Sequence, residues 1–173
     1  MLTKLTLEQL NALSPSEFHD VFKNVVESWP EAAIFCSAVL PFKSIDSLCD
    51  TFDRYLDKLQ DETKCRIMRQ YPDLAGKLLD SHELTSDSSF EHSCAGLDRL
   101  SDERKQRLND FNERYKAKFG FPFVICVREA GKFEIIFKAV TERINHDPDK
   151  ELLTGIEEVK KICRLRILQL VQK

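Results

Sequence analysis

Residues 70–97 read QYPDLAGKLLDSHELTSDSSFEHSCAGL, and this stretch twice breaks a helical apolar rhythm that the rest of the chain keeps. Its second half opens with Leu84-Thr85-Ser86-Asp87, where hydroxyls can cap a helix and a carboxylate suits the positive helix end; a helix is predicted from there to about Gly96. At about 100° per residue, Ser88, Glu91, His92 and Ala95 fall in one narrow sector, with Phe90, Cys94 and Leu97 in an apolar sector beside it. A hydroxyl, a carboxylate and an imidazole therefore share one face, which serves either as solvated surface or as the start of a site. In the first half, Tyr71 must end the preceding helix, because a residue before proline is pushed out of helical angles. That exposes its side chain. Asp73-Leu74-Ala75-Gly76 then reads as a turn in which Gly76 can take a positive φ.

Upstream, Ser14-Pro15-Ser16-Glu17 is a capping box with proline at the first helical position. Phe18, Val21, Phe22, Val25 and Val26 follow at helical spacing, predicting a helix that ends before Pro30. A second apolar segment opens at Glu31 and reaches Leu40, stopped by Pro41. Ser44 caps a longer helix burying Leu48, Phe52, Tyr55, Leu56 and Leu59, and Asp61 opens a short one to Gln70. Downstream, Ser101-Asp102-Glu103 starts a long charged helix with Leu108, Phe111, Tyr115 and Phe119 on one side and Gly120 as its left-handed cap. Gly131 turns the chain into a helix carrying Phe133, Ile136, Phe137, Val140 and Ile144, and Asp147-Pro148 prepares the last one. Only five glycines and no alternating Val/Ile/Thr-rich runs argue against a sheet. The expected fold is all-α: one compact multi-helix domain over residues 1–173 with a single short extended apolar segment at about 121–127.

That segment, Phe121-Pro122-Phe123-Val124-Ile125-Cys126-Val127, admits two readings. It is a buried connector, or a wall whose backbone N–H and C=O groups, lacking ladder partners, are satisfied by a ligand rich in amide groups. The last helix holds a second anomaly. Val159, Cys163, Arg166 and Leu170 project to one side, so Arg166 lies within an apolar stripe, where its charge needs either a core carboxylate or an anionic substrate. Lys160, Lys161 and Arg164, on the opposite side, read as surface cations.

The balance of 26 basic against 29 acidic residues, for a net charge of −3, leaves no basic stripe for a nucleic acid. The longest apolar run is far short of the ~20 residues that span a bilayer, and the amino terminus lacks a secretory layout. The six cysteines form no Cys-x-x-Cys pair, and His19, His82, His92 and His146 lack metal-site spacing, so no metal is expected and the cysteines read as reduced core residues. These features predict a soluble, cytoplasmic protein. The chain ends Val171-Gln172-Lys173, without a Ser-Lys-Leu type of signal, so a peroxisomal location is kept as the alternative.

Tyr71-Pro72-Asp73-Leu74-Ala75-Gly76-Lys77, then Leu84-Thr85 with Ser88-Ser89-Phe90-Glu91-His92-Ser93-Cys94-Ala95-Gly96-Leu97, then Phe119-Gly120-Phe121-Pro122-Phe123, then Glu158-Val159-Lys160-Lys161-Ile162 resembles the signature series of the 2-oxo-4-hydroxy-4-carboxy-5-ureidoimidazoline (OHCU) decarboxylases, enzymes of urate breakdown. The matches keep the family order across nearly the whole chain. The resemblance implies a small-molecule ureidoimidazoline substrate, (S)-allantoin as product, no cofactor, and a homodimer. It places the acid/base at Tyr71, where the family pattern has histidine, and a substrate-binding carboxylate at Glu91. His92 stands where the pattern has glutamine. Pro72 and Ser88 become substrate contacts, and Phe123, Val124, Ile125, Cys126 and Val127 a wall that holds the substrate through its backbone. Arg166 is the candidate for the substrate's negative charge.

The family's substrate carries a carboxylate, a hydroxyl and a ureido arm on a ring whose own C=N system accepts the electrons left when carbon dioxide departs, which is why no cofactor is needed. Tyrosine differs from histidine at the acid/base position. With an unperturbed pKa near 10, only ~0.1% of it is ionised at pH 7, and acting as a base requires roughly 4 kcal/mol of help from its surroundings. Tyr71 as donor with His92 as base gives a working decarboxylase. Loss of the histidine's role gives instead an impaired relative that binds a ureidoimidazoline or purine-derived ligand. A helical module that docks a protein through the face of Ser88 and His92 is the third reading.

Overall fold

The computed structural model describes residues 4–74, 85–94 and 97–172. Expectations for Ala75, Gly76, Lys77, His82, Leu84, Ala95 and Gly96 lie outside these. Among the described residues the fold is all-α, with ten α-helices, one 3₁₀ turn and no strand beyond an isolated parallel bridge between Leu5 and Val171. No helix among them is long and apolar enough to cross a membrane. The chain divides into two compact units, residues 1–63 with 159–173, and residues 64–158.

In the first unit the predicted caps at Ser14 and Ser44 hold, and Thr6 caps a further helix that the sequence reading did not include. Thr6 caps α1 (Leu7–Asn11), Ser14 and Glu17 close a capping box on α2 (Pro15–Phe22), and Ser44 caps α4 (Ile45–Lys58). Phe18, Phe22, Leu48, Phe52 and Leu56 are fully buried. Two helices are shorter than predicted. α2 stops at Phe22, leaving Val25 and Val26 buried but non-helical; the Asn24 side chain takes the Ser28 N–H at 3.1 Å, and such local bonds compete with a helix. α3 (Glu31–Ser37) ends before Leu40, in a turn where Val39 N–H reaches Cys36 C=O, consistent with the restriction a proline places on its predecessor. Arg166, 2% exposed, pairs with Glu27 at 2.6 Å and donates to the Asn24 carbonyl at 2.9 Å. Its buried charge has thus found a core carboxylate.

The second unit takes in most of α5 (Asp61–Met68), then α6 (Ser86–Cys94), α7 (Asp102–Phe119), α8 (Val127–Ala130), α9 (Phe133–Arg143) and the first half of α10 (Pro148–Leu170). Gly120 caps α7 at φ 76°, its N–H donating to Lys116 C=O and its own carbonyl accepting from Arg69 Nε at 2.8 Å. This left-handed residue reverses the chain into the apolar segment, a conformation that costs an L-residue about 1–2 kcal/mol. Phe121, Phe123, Val124, Cys126 and Val127 are all buried. The segment is irregular to Cys126, and Val127 already opens α8. Tyr71 departs from expectation. It leaves the helix as predicted, but its side chain turns inward to 7% exposure, because leaving helical angles does not compel an aromatic ring into water when an apolar contact is at hand.

Candidate functional site

α6 settles how its mixed face is used. Thr85 caps it, its hydroxyl accepting from Ser88 N–H at 3.2 Å. Ser88, Glu91 and His92 are 2%, 5% and 4% exposed, while Phe90 between them is 48% exposed. An ordinary surface helix would bury the phenylalanine and solvate the carboxylate, so a helix that does the reverse keeps its polar groups for something other than water.

The 121–127 segment is joined to α6 through α8, which packs against it. The Cys126 thiol registers the contact. Burial pushes it up to about 11, and the carboxylates of Glu129, Glu158 and Glu91 push the same way. Cys126 is therefore a neutral thiol at physiological pH rather than a nucleophile, and the charge of Glu91 lies close enough to the wall to act on it.

At least four of the wall's backbone groups that a ligand was expected to satisfy already have partners: the Cys126 carbonyl accepts from the N–H groups of Glu129 and Ala130, the Val127 carbonyl from Gly131 N–H, and two more bind side chains. Arg143 Nη1 donates to Val124 C=O at 2.9 Å, and Cys126 N–H donates to a Glu158 oxygen at 2.8 Å. The Arg143 guanidinium also lies over the Phe123 ring, 4.5 Å from its centre. Arg143 is held in turn by Glu151, which is wholly buried. One oxygen of Glu151 accepts from Arg143 Nε at 2.9 Å, from Nη2 at 2.5 Å and from the Tyr115 hydroxyl; the other lies 2.8 Å from His146 Nδ1. Burial holds the Tyr115 hydroxyl far above its ordinary range, against the pull of Arg143, so it stays a donor. Sequence reasoning missed Arg143, Glu151 and Glu158. The stripe argument applied to Arg166 would have found Arg143, which continues Phe133, Ile136 and Val140 at helical spacing.

Tyr71 and Pro72 line a hollow of about 290 Å³ with Phe121, Pro122, Gly120, Arg69, Asp73 and Lys116. Ser88, Glu91, His92 and residues 123–127 are not part of that lining. They belong with Tyr71 to the second unit, whereas Arg166 belongs to the first.

The sequence pattern of the OHCU decarboxylase family matches residues 11–168. This chain belongs to that family. A 2-oxo-4-hydroxy-4-carboxy-5-ureidoimidazoline decarboxylase of Amia calva is 39% identical over 168 residues, covering 97% of this chain and 95% of the relative. One of Xenopus laevis is 39% identical over 166 residues, covering 96% and 94%. A Haloferax volcanii relative of the same name is 32% identical, covering 96% of both chains. Among solved structures, an (S)-allantoin synthase superposes with a TM-score of 0.75 at 21% identity, over 97% of this chain and 54% of the other. An OHCU decarboxylase crystallised with (S)-allantoin gives 0.69 at 24% identity, over 89% and 99%. At these identities the two structures speak for the fold of the OHCU decarboxylase family member described here, and the curated relatives for its membership.

Proposed function

We propose that this chain is a carboxy-lyase that converts OHCU to (S)-allantoin in urate degradation, residues 1–173 working as one OHCU decarboxylase-like domain. The observation that carries the reading is the burial of Ser88, Glu91 and His92 on a helix that leaves Phe90 exposed. The same activity is named for relatives that match over almost their full length, which favours an enzyme over a binding protein.

The reaction breaks the bond between the ring carbon and its carboxylate. The electron pair passes into the adjacent C=N system as carbon dioxide leaves, the hydroxyl on the same carbon gives up its proton to become a carbonyl, and a proton is delivered to one face of the neighbouring, ureido-bearing ring carbon. The protein's part is to orient the ring, desolvate the carboxylate and manage two protons. Glu91 takes hydrogen bonds from ring or ureido N–H groups, and Pro72 and Ser88 flank the ring. Residues 123–127 hold it through backbone groups not already engaged by Arg143, Glu158 and the backbone of residues 129–131. Tyr71 serves as the proton donor, a role that suits a phenol, since a tyrosine side chain ordinarily carries its proton at neutral pH. His92 accepts the hydroxyl proton, a task that suits an imidazole near neutrality. For Arg166, the contacts with Glu27 and the Asn24 carbonyl support the structural role.

The deciding experiment supplies freshly generated OHCU and follows the circular dichroism of the product. Optically active allantoin formed faster than by spontaneous decay is expected, and racemic product at the uncatalysed rate would refute the assignment. Tyr71→His is expected to retain or raise turnover, since it restores the residue of the family pattern; a sharp drop in kcat would show the tyrosine to be adapted to its own mechanism. A homodimer belongs to the same reading, and sedimentation equilibrium tests it, a monomeric species counting against it. A reducing, cytoplasmic setting fits Cys36, Cys49, Cys65, Cys126 and Cys163, all free thiols.

A further inference from the structure

We infer that Arg128 is the receptor for the substrate's carboxylate, an assignment that rests on the decarboxylase reading above. Arg128 follows directly on the wall residues and sits on α8, the helix that packs against α6. Its guanidinium carbon lies 5.6 Å from the centre of the ring of Phe90, the exposed neighbour of Glu91, which holds the head group beside α6. Nη1 of Arg128 is buried and, among the described residues, has no hydrogen-bond partner.

A guanidinium keeps its charge under all ordinary conditions, and a buried charged donor without an acceptor is among the most unfavourable groups a fold can retain. Other cations of the same unit are committed. Arg143 is bound to Glu151 and Val124, Lys116 to Asp73 and Glu113, Lys118 to the carbonyls of Ile144 and His146, and Arg104 to Glu134. Arg166, singled out from sequence for this task, is paired with Glu27. An anion delivered between α6 and the wall would give Nη1 the acceptor it lacks. In a ureidoimidazoline that anion is the carboxylate. Because its charge migrates into the ring as the C–C bond breaks, a contact at the carboxylate holds the ground state at least as well as the transition state, so its signature belongs in KM rather than kcat.

The test is steady-state kinetics on OHCU with the full chain, Arg128→Gln and Arg128→Lys, with melting curves for each; Arg104→Gln is the control for loss of an exposed arginine. For Arg128→Gln a rise in KM of about ten- to a hundredfold is expected, the range of a lost charged hydrogen bond, with kcat within about threefold of the parent. Arg128→Lys should recover part of the loss. The melting temperature should change little, because what is lost internally is the contact with the half-exposed Phe90 ring. An unchanged KM in Arg128→Gln, or a fall in kcat at unchanged KM, overturns the assignment while leaving the decarboxylase reading intact. A parent chain that fails to accelerate OHCU decay overturns the decarboxylase reading, and this one with it.

Discussion

Glu151→Ala is expected to lower stability by about 3–5 kcal/mol, the loss seen when one partner of a buried ion pair is removed, and to drop the melting temperature by roughly ten degrees or more. The magnitude follows from what the carboxylate holds. Glu151 is wholly buried and binds Arg143 through two nitrogens, the Tyr115 hydroxyl, and His146. Alanine leaves the Arg143 charge, itself 7% exposed, with the Val124 carbonyl and the Phe123 ring but no carboxylate, and leaves the Tyr115 hydroxyl without its acceptor. Turnover should fall further than stability alone explains, because Arg143 fixes both the Val124 carbonyl and the Phe123 ring of the proposed substrate wall. The double variant Glu151→Leu with Arg143→Met separates the two effects. Removing both charges together should restore most of the melting temperature, as replacement of buried pairs by apolar residues does elsewhere, yet leave turnover low. Glu151→Ala melting within two degrees of the parent, on a scale of about 2–4 °C per kcal/mol, would show that the cluster does not hold the unit together.

Caps and stripes made most of this fold legible from sequence, because both are local. Ser14, Ser44 and Ser101 cap as their spacing says, and Gly120 takes the left-handed conformation its place after Phe119 demands. What local pattern could not give was the direction in which a segment faces. Tyr71 was expected to project outward and is buried, and the polar sector of α6 was equally compatible with solvent until Phe90 proved to be the exposed member. Partner identity was also out of reach. The stripe of α10 marked Arg166 as a charge needing a partner but not Glu27, which lies 139 positions earlier in a non-helical turn, as that partner. The wall shows the same limit. Its unladdered backbone was apparent in sequence, whereas the side chains of Arg143 and Glu158 that satisfy part of it come from helices 19 and 32 positions away.

For Glu91→Gln a loss in turnover of about a hundredfold or more is expected, within the range for removing one preorganised hydrogen-bonding group from the transition state, with the fold little disturbed. Glutamine keeps the volume and one acceptor oxygen but loses the negative charge and replaces the second oxygen with a donor. A carboxylate accepting N–H groups of the ring or ureido arm cannot be replaced by an amide without one of those contacts turning repulsive. Glu91 is 5% exposed and close enough to Cys126 for its charge to raise the thiol, so solvent cannot relieve the mismatch. The variant should melt within a few degrees of the parent, because burying an amide is less demanding than burying an ion. Ser88→Ala, which removes a single hydroxyl from the same face, should lose far less. In the stereochemical assay the Glu91→Gln product should drift toward racemic as spontaneous decay overtakes the enzyme. Turnover retained within about threefold would remove Glu91 from the site, and with it the chemical meaning of a helix that hides its carboxylate and exposes its phenylalanine.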